Sequence, residues 1–395
     1  MKRWIVVLAV VMLGIAATAQ AENGKSRTEI YGYVMTDVGV NQKAIDPSWF
    51  DVQRPTKLPA FENEFGRDGS VFFSVRQTRF GVKSFVPVGE EELKTTFEWE
   101  MFGVGVDAGQ TTIRLRHAYG ELGKFGAGQY WSPFMDIDVF PNTLEYWGPN
   151  GMAFFRNVQL RFMPIQGDSR LTIALERPGA SGDAGLYAGR VELAGIVPRF
   201  PLPDVSAEYR HGLKMGYIEV AGIVRAIKWE DLTPTPVDAS GDVMGWGLSA
   251  SSNLKIGASN VVRLQFLHGE GIENYMNDAP ADVGIEVTTS GADGVALPVS
   301  GAVAFLDHAW SPKWSTSVGY SQVVIENSNG QTPDAFHVGQ YALANLLYSP
   351  VPNVMGGIEA GWIKRENNSD GWSIENWHVQ ASFKYNFSIS LGGGQ

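Results

Sequence analysis

The 395-residue chain contains no cysteine, so neither a disulfide framework nor a thiolate-ligated metal site can organise it. Charged residues make up only 18% and the formal net charge is −11, which excludes the basic face that nucleic-acid binding requires. After residue 17 there is no apolar run long enough for a membrane helix. Heptads, linkers rich in Pro or Ser and internal repeats beyond a hairpin period are also missing. None of the six histidines (117, 211, 268, 308, 337 and 378) stands in an HExxH motif. The run Gly103-Val104-Gly105-Val106-Asp107-Ala108 fits a loose dinucleotide pattern, but a strand follows it where a phosphate-binding helix would be needed. No catalytic role, cofactor or metal is expected.

The N-terminus carries an export signal. Lys2 and Arg3 precede the apolar run Ile5 to Ala17, and Ala19-Gln20-Ala21 supplies small residues for cleavage, so residues 1–21 read as a signal peptide and Glu22 as the mature start. Residues 22–395 then form one domain, two units more negative once Lys2 and Arg3 are gone. With 46 glycines, 12 Trp, 13 Tyr and 21 Phe, the composition fits a closed sheet with many turns and aromatic girdles.

The clearest pattern lies at the end of the chain. Trp377, Val379, Ala381, Phe383, Tyr385, Phe387, Ile389 and Leu391 alternate with His378, Gln380, Ser382, Lys384, Asn386, Ser388, Ser390 and Gly392. This is a strand with one apolar and one polar face. Similar period-2 segments number sixteen, near residues 28–41, 70–87, 92–104, 111–121, 124–131, 154–164, 169–177, 203–212, 215–228, 242–254, 259–269, 300–310, 313–326, 335–348, 353–365 and 373–391. Connections after even-numbered segments are tight, such as Leu122-Gly123, Ile256-Gly257 and Ser349-Pro350. Those after odd segments include the long stretches 42–69, 132–153, 178–202 and 270–299.

Loops sorted by length to opposite ends predict an all-β, transmembrane antiparallel barrel with short periplasmic turns and long extracellular loops. A soluble Greek-key sandwich mixes loop lengths at both ends. Sixteen strands leave an aqueous lumen, and Glu22 to Arg27 is too short for a plug ahead of the first strand. A passive channel for small hydrophilic solutes in the outer membrane of a Gram-negative bacterium is the expected function. The alternatives are a structural or adhesive barrel, or a hydrolytic one using Ser84 and His117.

If the apolar parity faces lipid, Ile113, Leu115 and Tyr119 point outward, and Arg79, Lys83, Arg114, Arg116, Arg161, Arg170, Arg210, Arg225 and Arg263 point inward. Rings of guanidinium select anions because they stay charged and grip carboxylates bidentately. The competing role is to pair with lumenal acids such as Glu98, Glu100, Glu176, Glu208 and Glu219. The third long loop, about 131–153, is expected to fold into the lumen and to set Asp136, Asp138 and Glu145 opposite Arg79, Arg114, Arg116 and Arg161. Arg76, Thr78, Ser84 and His117 fall on the apolar parity and read as subunit contacts.

The residues Arg76-Gln77-Thr78-Arg79-Phe80-Gly81-Val82-Lys83, Leu93-Lys94-Thr95-Thr96-Phe97-Glu98, Thr111 to Gly120, Phe134-Met135-Asp136 and Glu145-Tyr146-Trp147-Gly148-Pro149-Asn150 resemble the DcaP-like outer-membrane porins. The likeness is strong over about residues 28–180 and architectural afterwards. It implies a homotrimer of sixteen-stranded barrels passing small anions, dicarboxylates among them, with an arginine constriction carried onto Arg79, Arg114, Arg116 and Arg161. Two departures stand out: there is no N-terminal coiled-coil extension, and eight residues follow Phe387 where such barrels often end on an aromatic.

Overall fold

A computed structural model describes residues 26–190, 193–233, 238–289 and 291–392; the signal peptide and its cleavage site lie outside them. The first eight strands are β1 (Arg27–Asn41), β2 (Ser70–Ser74), β3 (Arg79–Val88), β4 (Glu91–Phe102), β5 (Thr111–Leu122), β6 (Phe125–Trp131), β7 (Arg156–Ile165) and β8 (Arg170–Glu176). Then come β9 (Ile196–Pro198), β10 (Asp204–Leu213), β11 (Gly216–Asp231), β12 (Gly241–Ile256), β13 (Asn260–Glu270), β14 (Val283–Thr288), β15 (Gly291–Ala296) and β16 (Pro298–Ala309). The last four are β17 (Trp314–Ile325), β18 (Phe336–Tyr348), β19 (Val354–Asn367) and β20 (Ser373–Gly392).

Each wall strand pairs antiparallel with its neighbour, and β20 returns to β1 from Arg27↔Gly392 to Asn41↔His378. The sheet is therefore a closed barrel of sixteen strands, with β2 and β3 forming one interrupted strand. Closure leaves no free edge. The short β9 pairs with the upper end of β11, and the hairpin β14–β15 stands in the sixth loop. The last strand runs past Phe387 to Gly392, with Leu391 opposite Thr28.

Alternation holds along most of the wall, but two of the early strands change face. In β2 the buried residues are Phe72 and Ser74, whereas β3 turns Arg79 and Lys83 inward. The switch is made at 75–78, where the Thr78 N–H reaches the Val75 carbonyl at 3.0 Å. A bulge between Glu98 and Trp99 leaves both Arg116 and His117 of β5 on the inner side. Beyond it Tyr119 is inside too, and Gly128 faces it in β6. At Gly126 a Cβ would fall 1.8 Å from the Tyr119 hydroxyl, so glycine makes the room this ring needs.

These shifts correct three expectations. Arg76 is buried within the barrel on Asp51, His117 is buried inside, and Tyr119 does not face lipid. Ser84 keeps the outward parity and bonds Thr28 at 3.0 Å.

The inner faces of β16, β18 and β19 carry apolar side chains among their polar ones. Val303, Phe305, Tyr341, Leu343 and Ile363 pack there against Leu58 of the first loop and Val139 and Met152 of the third. A neighbouring cluster joins Phe134, Ala153, Ile272, Tyr275 and Leu297 to Ile223, Leu267 and Val323. The first, third and sixth loops thus fold inward and bury their apolar side chains against this half of the wall. Water removal by the packed loops explains the apolar residues on the inner side of these strands.

Candidate functional site

The inward cations of β3, β5, β7 and β20 border two cavities that also touch β1, β6 and the loops. Register sets Arg79 beside Glu100 and Glu100 beside Arg114. Glu100 accepts Arg114 Nε at 2.9 Å and Arg114 Nη2, Arg116 Nη1 at 2.6 Å and Arg79 Nη2 at 3.3 Å, and Arg156 lies 3.9 Å away. Glu98 takes Arg116 Nε at 2.6 Å and approaches Arg79 at 3.8 Å. Four guanidiniums share two carboxylates, so the patch keeps a surplus of two positive charges. Pairing with wall acids is therefore real for Arg79, Arg114 and Arg116, but incomplete.

Arg161 sits apart. It donates to the Trp131 carbonyl at 2.5 Å and to Gln159 Oε1 at 2.8 Å, over the rings of Tyr119 and Tyr130. Lys83 lies 5.0 Å over Tyr31 and Lys384 lies 4.0 Å over Tyr33. Among the described residues none of these three has a carboxylate at ion-pair distance. The cation–aromatic contacts hold the side chains in place without cancelling their charge.

The acids of the third loop do not oppose this wall. Asp136 and Asp138 bind Arg210 of β10 at 2.7 and 2.6 Å, and Asp136 also accepts Tyr217 and Ser251 hydroxyls at 2.6 Å each. Glu145 is buried, accepts Trp147 N–H at 2.7 Å, Gly148 N–H and the Tyr341 hydroxyl at 2.8 Å, and shapes the loop tip. Glu359 of β19 takes the backbone N–H groups of Leu144 and Glu145 at 2.8 and 2.9 Å. All three acids anchor the loop; the transverse acid-to-arginine arrangement expected from sequence is replaced by pairing with Arg210 and Tyr341. Complete burial, and the negative Glu359 beside it, push the Glu145 carboxyl up to about 7.

What the loop presents to the wall is Tyr146. Its ring stacks on Phe102 at 4.0 Å, nearly parallel. Its hydroxyl accepts Arg114 Nη2 at 2.5 Å and Arg116 Nη1 at 3.2 Å and donates to Glu100. On one side is a cleft of about 260 Å³ that includes Tyr33, Arg79, Arg116, Asn142, Thr143 and Lys384 in its lining. On the other is a chamber of about 420 Å³ that includes Trp49, Arg54, Arg114, Trp147, Arg156 and Asn277. Arg54 is held between the Trp49 and Trp147 rings, at 4.3 and 4.0 Å, and bonded to Asp278 at 2.8 Å.

Sequence reasoning missed Arg156, Lys384 and Tyr146 as site residues. The inward parity of Lys384 was visible in the terminal strand. Arg156 stands at a strand mouth, where parity gives no direction.

The remaining inward arginines pair within the wall or with loops: Arg170 with Glu208 and Glu219, Arg225 with Asp204 and Asp282, Arg263 with Asp307. No metal-binding group of His, Asp or Glu occurs among the described residues.

No curated protein sequence matches the chain. Among solved structures, the outer membrane channel DcaP of Acinetobacter baumannii superposes with a TM-score of 0.77 at 19% identity, over 93% of this chain and 99% of that one. The anion-selective porin of Comamonas acidovorans gives 0.59 at 8% identity, over 92% and 100%. OmpT of Vibrio cholerae in its trimer form gives 0.54 at 12%, over 92% and 99%. At these identities the likeness shows the fold. The sequence itself goes further: a model of the DcaP outer membrane protein matches residues 22–387, and the chain belongs to that family.

Proposed function

We propose that this protein is a diffusion channel of the Gram-negative outer membrane, exported by a signal peptide cleaved after Ala21, that passes small hydrophilic solutes and prefers anions, dicarboxylates among them. The observation that carries the reading is the cleft bordered together by Arg79, Arg116 and Lys384, where positive charge exceeds the acids at hand. Arg79, Lys83, Arg114, Arg116 and Arg161 form the cationic side. Asp136, Asp138 and Glu145 hold the loop that narrows the passage. A dicarboxylate can meet two cations in succession. The similarly folded outer membrane channel of Acinetobacter baumannii and anion-selective porin of Comamonas acidovorans agree with this reading. The trimer form of the Vibrio protein favours a homotrimer in outer-membrane lipid here.

A hydrolytic reading loses support because Ser84 bonds Thr28 on the outer face, whereas His117 is buried against Tyr130 and Trp131. The test is the zero-current potential of single channels in a KCl gradient. An anion-preferring sign is expected; a cation-preferring sign would refute the selectivity.

A further inference from the structure

Tyr146 and Phe154 are the side chains that line both chambers, so they stand between them. Arg114 borders the larger chamber and Arg116 the smaller, and the Tyr146 hydroxyl touches both guanidiniums. The hydroxyl therefore occupies the position that a carboxylate oxygen would take between two guanidinium forks. Its ring is fixed by Phe102, and its backbone by the turn that the Glu145 carboxyl closes onto Trp147 and Gly148 N–H.

We propose that Tyr146 is the specificity-determining residue of the passage, a phenol seated on Arg114 and Arg116 that a solute carboxylate replaces as it crosses. A neutral solute must break the hydroxyl contacts and offers the arginines, which keep Glu98 and Glu100, only neutral hydroxyl acceptors that are weaker than a carboxylate. A carboxylate restores the two arginine contacts in charge-assisted form, while Glu100 loses the proton of the phenol and keeps its arginines. The proposal rests on the reading of the lumen as a solute path, and it adds discrimination against neutral solutes, which a surplus of positive charge alone does not supply.

Phenylalanine at 146 keeps the ring and its stack and removes only the hydroxyl. In proteoliposome swelling, Y146F is expected to raise the rate for the neutral sugar arabinose about fivefold, the factor equivalent to one net hydrogen bond of about 1 kcal/mol. The rate for succinate should change less, so the succinate-to-arabinose ratio falls. An unchanged ratio overturns the proposal. Y146L, which keeps apolar bulk, carries the same test should Y146F not insert. The zero-current potential of the wild type in KCl is read separately: a cationic sign would defeat the anion preference without touching the sugar result, and an unchanged ratio with an anionic sign would defeat only the role of Tyr146.

Discussion

Arg210 on β10 spans from the wall to the root of the third loop, with Nη2 2.7 Å from Asp136 and Nε 2.6 Å from Glu219 of the adjacent strand. Removing such a guanidinium leaves two buried acids facing each other. R210A should therefore cost about 3–5 kcal/mol, seen as a lower temperature for loss of the compact barrel band on cold-loaded gels. Its pores should also conduct with more noise, because the loop root is freed. An unchanged melting temperature would show that the pair contributes little.

Lys384 and Arg161 are expected to matter more for selectivity, residue by residue, than the arginines locked onto Glu98 and Glu100. K384Q removes an unneutralised charge from the narrow cleft and leaves no acid unpaired. Its zero-current potential should move toward cations by an amount equivalent to about 1 kcal/mol or less, shrinking as salt is raised. A variant with the wild-type potential at low salt would remove Lys384 from the conduction path.

The pair R114A and R116A acts differently. Glu100 keeps only Arg79, the Tyr146 hydroxyl and the more distant Arg156 as partners, so the double variant should shift selectivity toward cations and also lower stability. Rates of succinate uptake into proteoliposomes and the gel melting temperature should fall together.

The Glu145 carboxyl makes the loop tip sensitive to pH. Its value of about 7 in place, against an ordinary 4.5, means that the folded-in loop favours the protonated form. The stabilisation is complete below about pH 4.5, declines as pH rises, and is gone above about 7. The tip should consequently be held more firmly at pH 5 than at pH 8, by roughly 3 kcal/mol at most. Proteolytic nicking near residue 142 should be slower at pH 5, and E145Q should flatten the difference. Equal rates in the wild type would contradict this assignment.

Chain orientation is accessible to labelling. A cysteine replacing the exposed Ala258, in the turn between β12 and β13, should resist an impermeant maleimide on intact cells. One replacing the exposed Asp293 in β15 should react. The reverse pattern would invert the barrel.

Strand positions and the alternation of tight and long connections were legible because both are local: a period of two and a turn residue suffice. The interruption at 75–78 and the bulge at Glu98/Trp99 were not, since each slips the parity by one and sends Arg76, His117 and Tyr119 to the side opposite from a straight count. The loop acids could not be matched to their partners from sequence, because Arg210 and Tyr341 lie about 70 and 200 positions away, beyond any spacing rule. For the same reason the apolar residues on the inner side of β16, β18 and β19 had no reading in the sequence. Their meaning depended on loops packed against them.

The seam between β1 and β20 joins Arg27 to Gly392. Every other wall pairing can be made between neighbours in sequence, whereas this one must wait for the last strand to be delivered, at the largest loop-closure cost in the molecule. Until then both margins of the sheet are open, and the Ala381 to Ile389 ridge is ready to pair with the wrong partner. A nascent barrel is thus an aggregation hazard up to its final hairpin. Shortening the chain by a few residues beyond Phe387 would show first in the yield of closed barrels, before any change in the conductance of those that close.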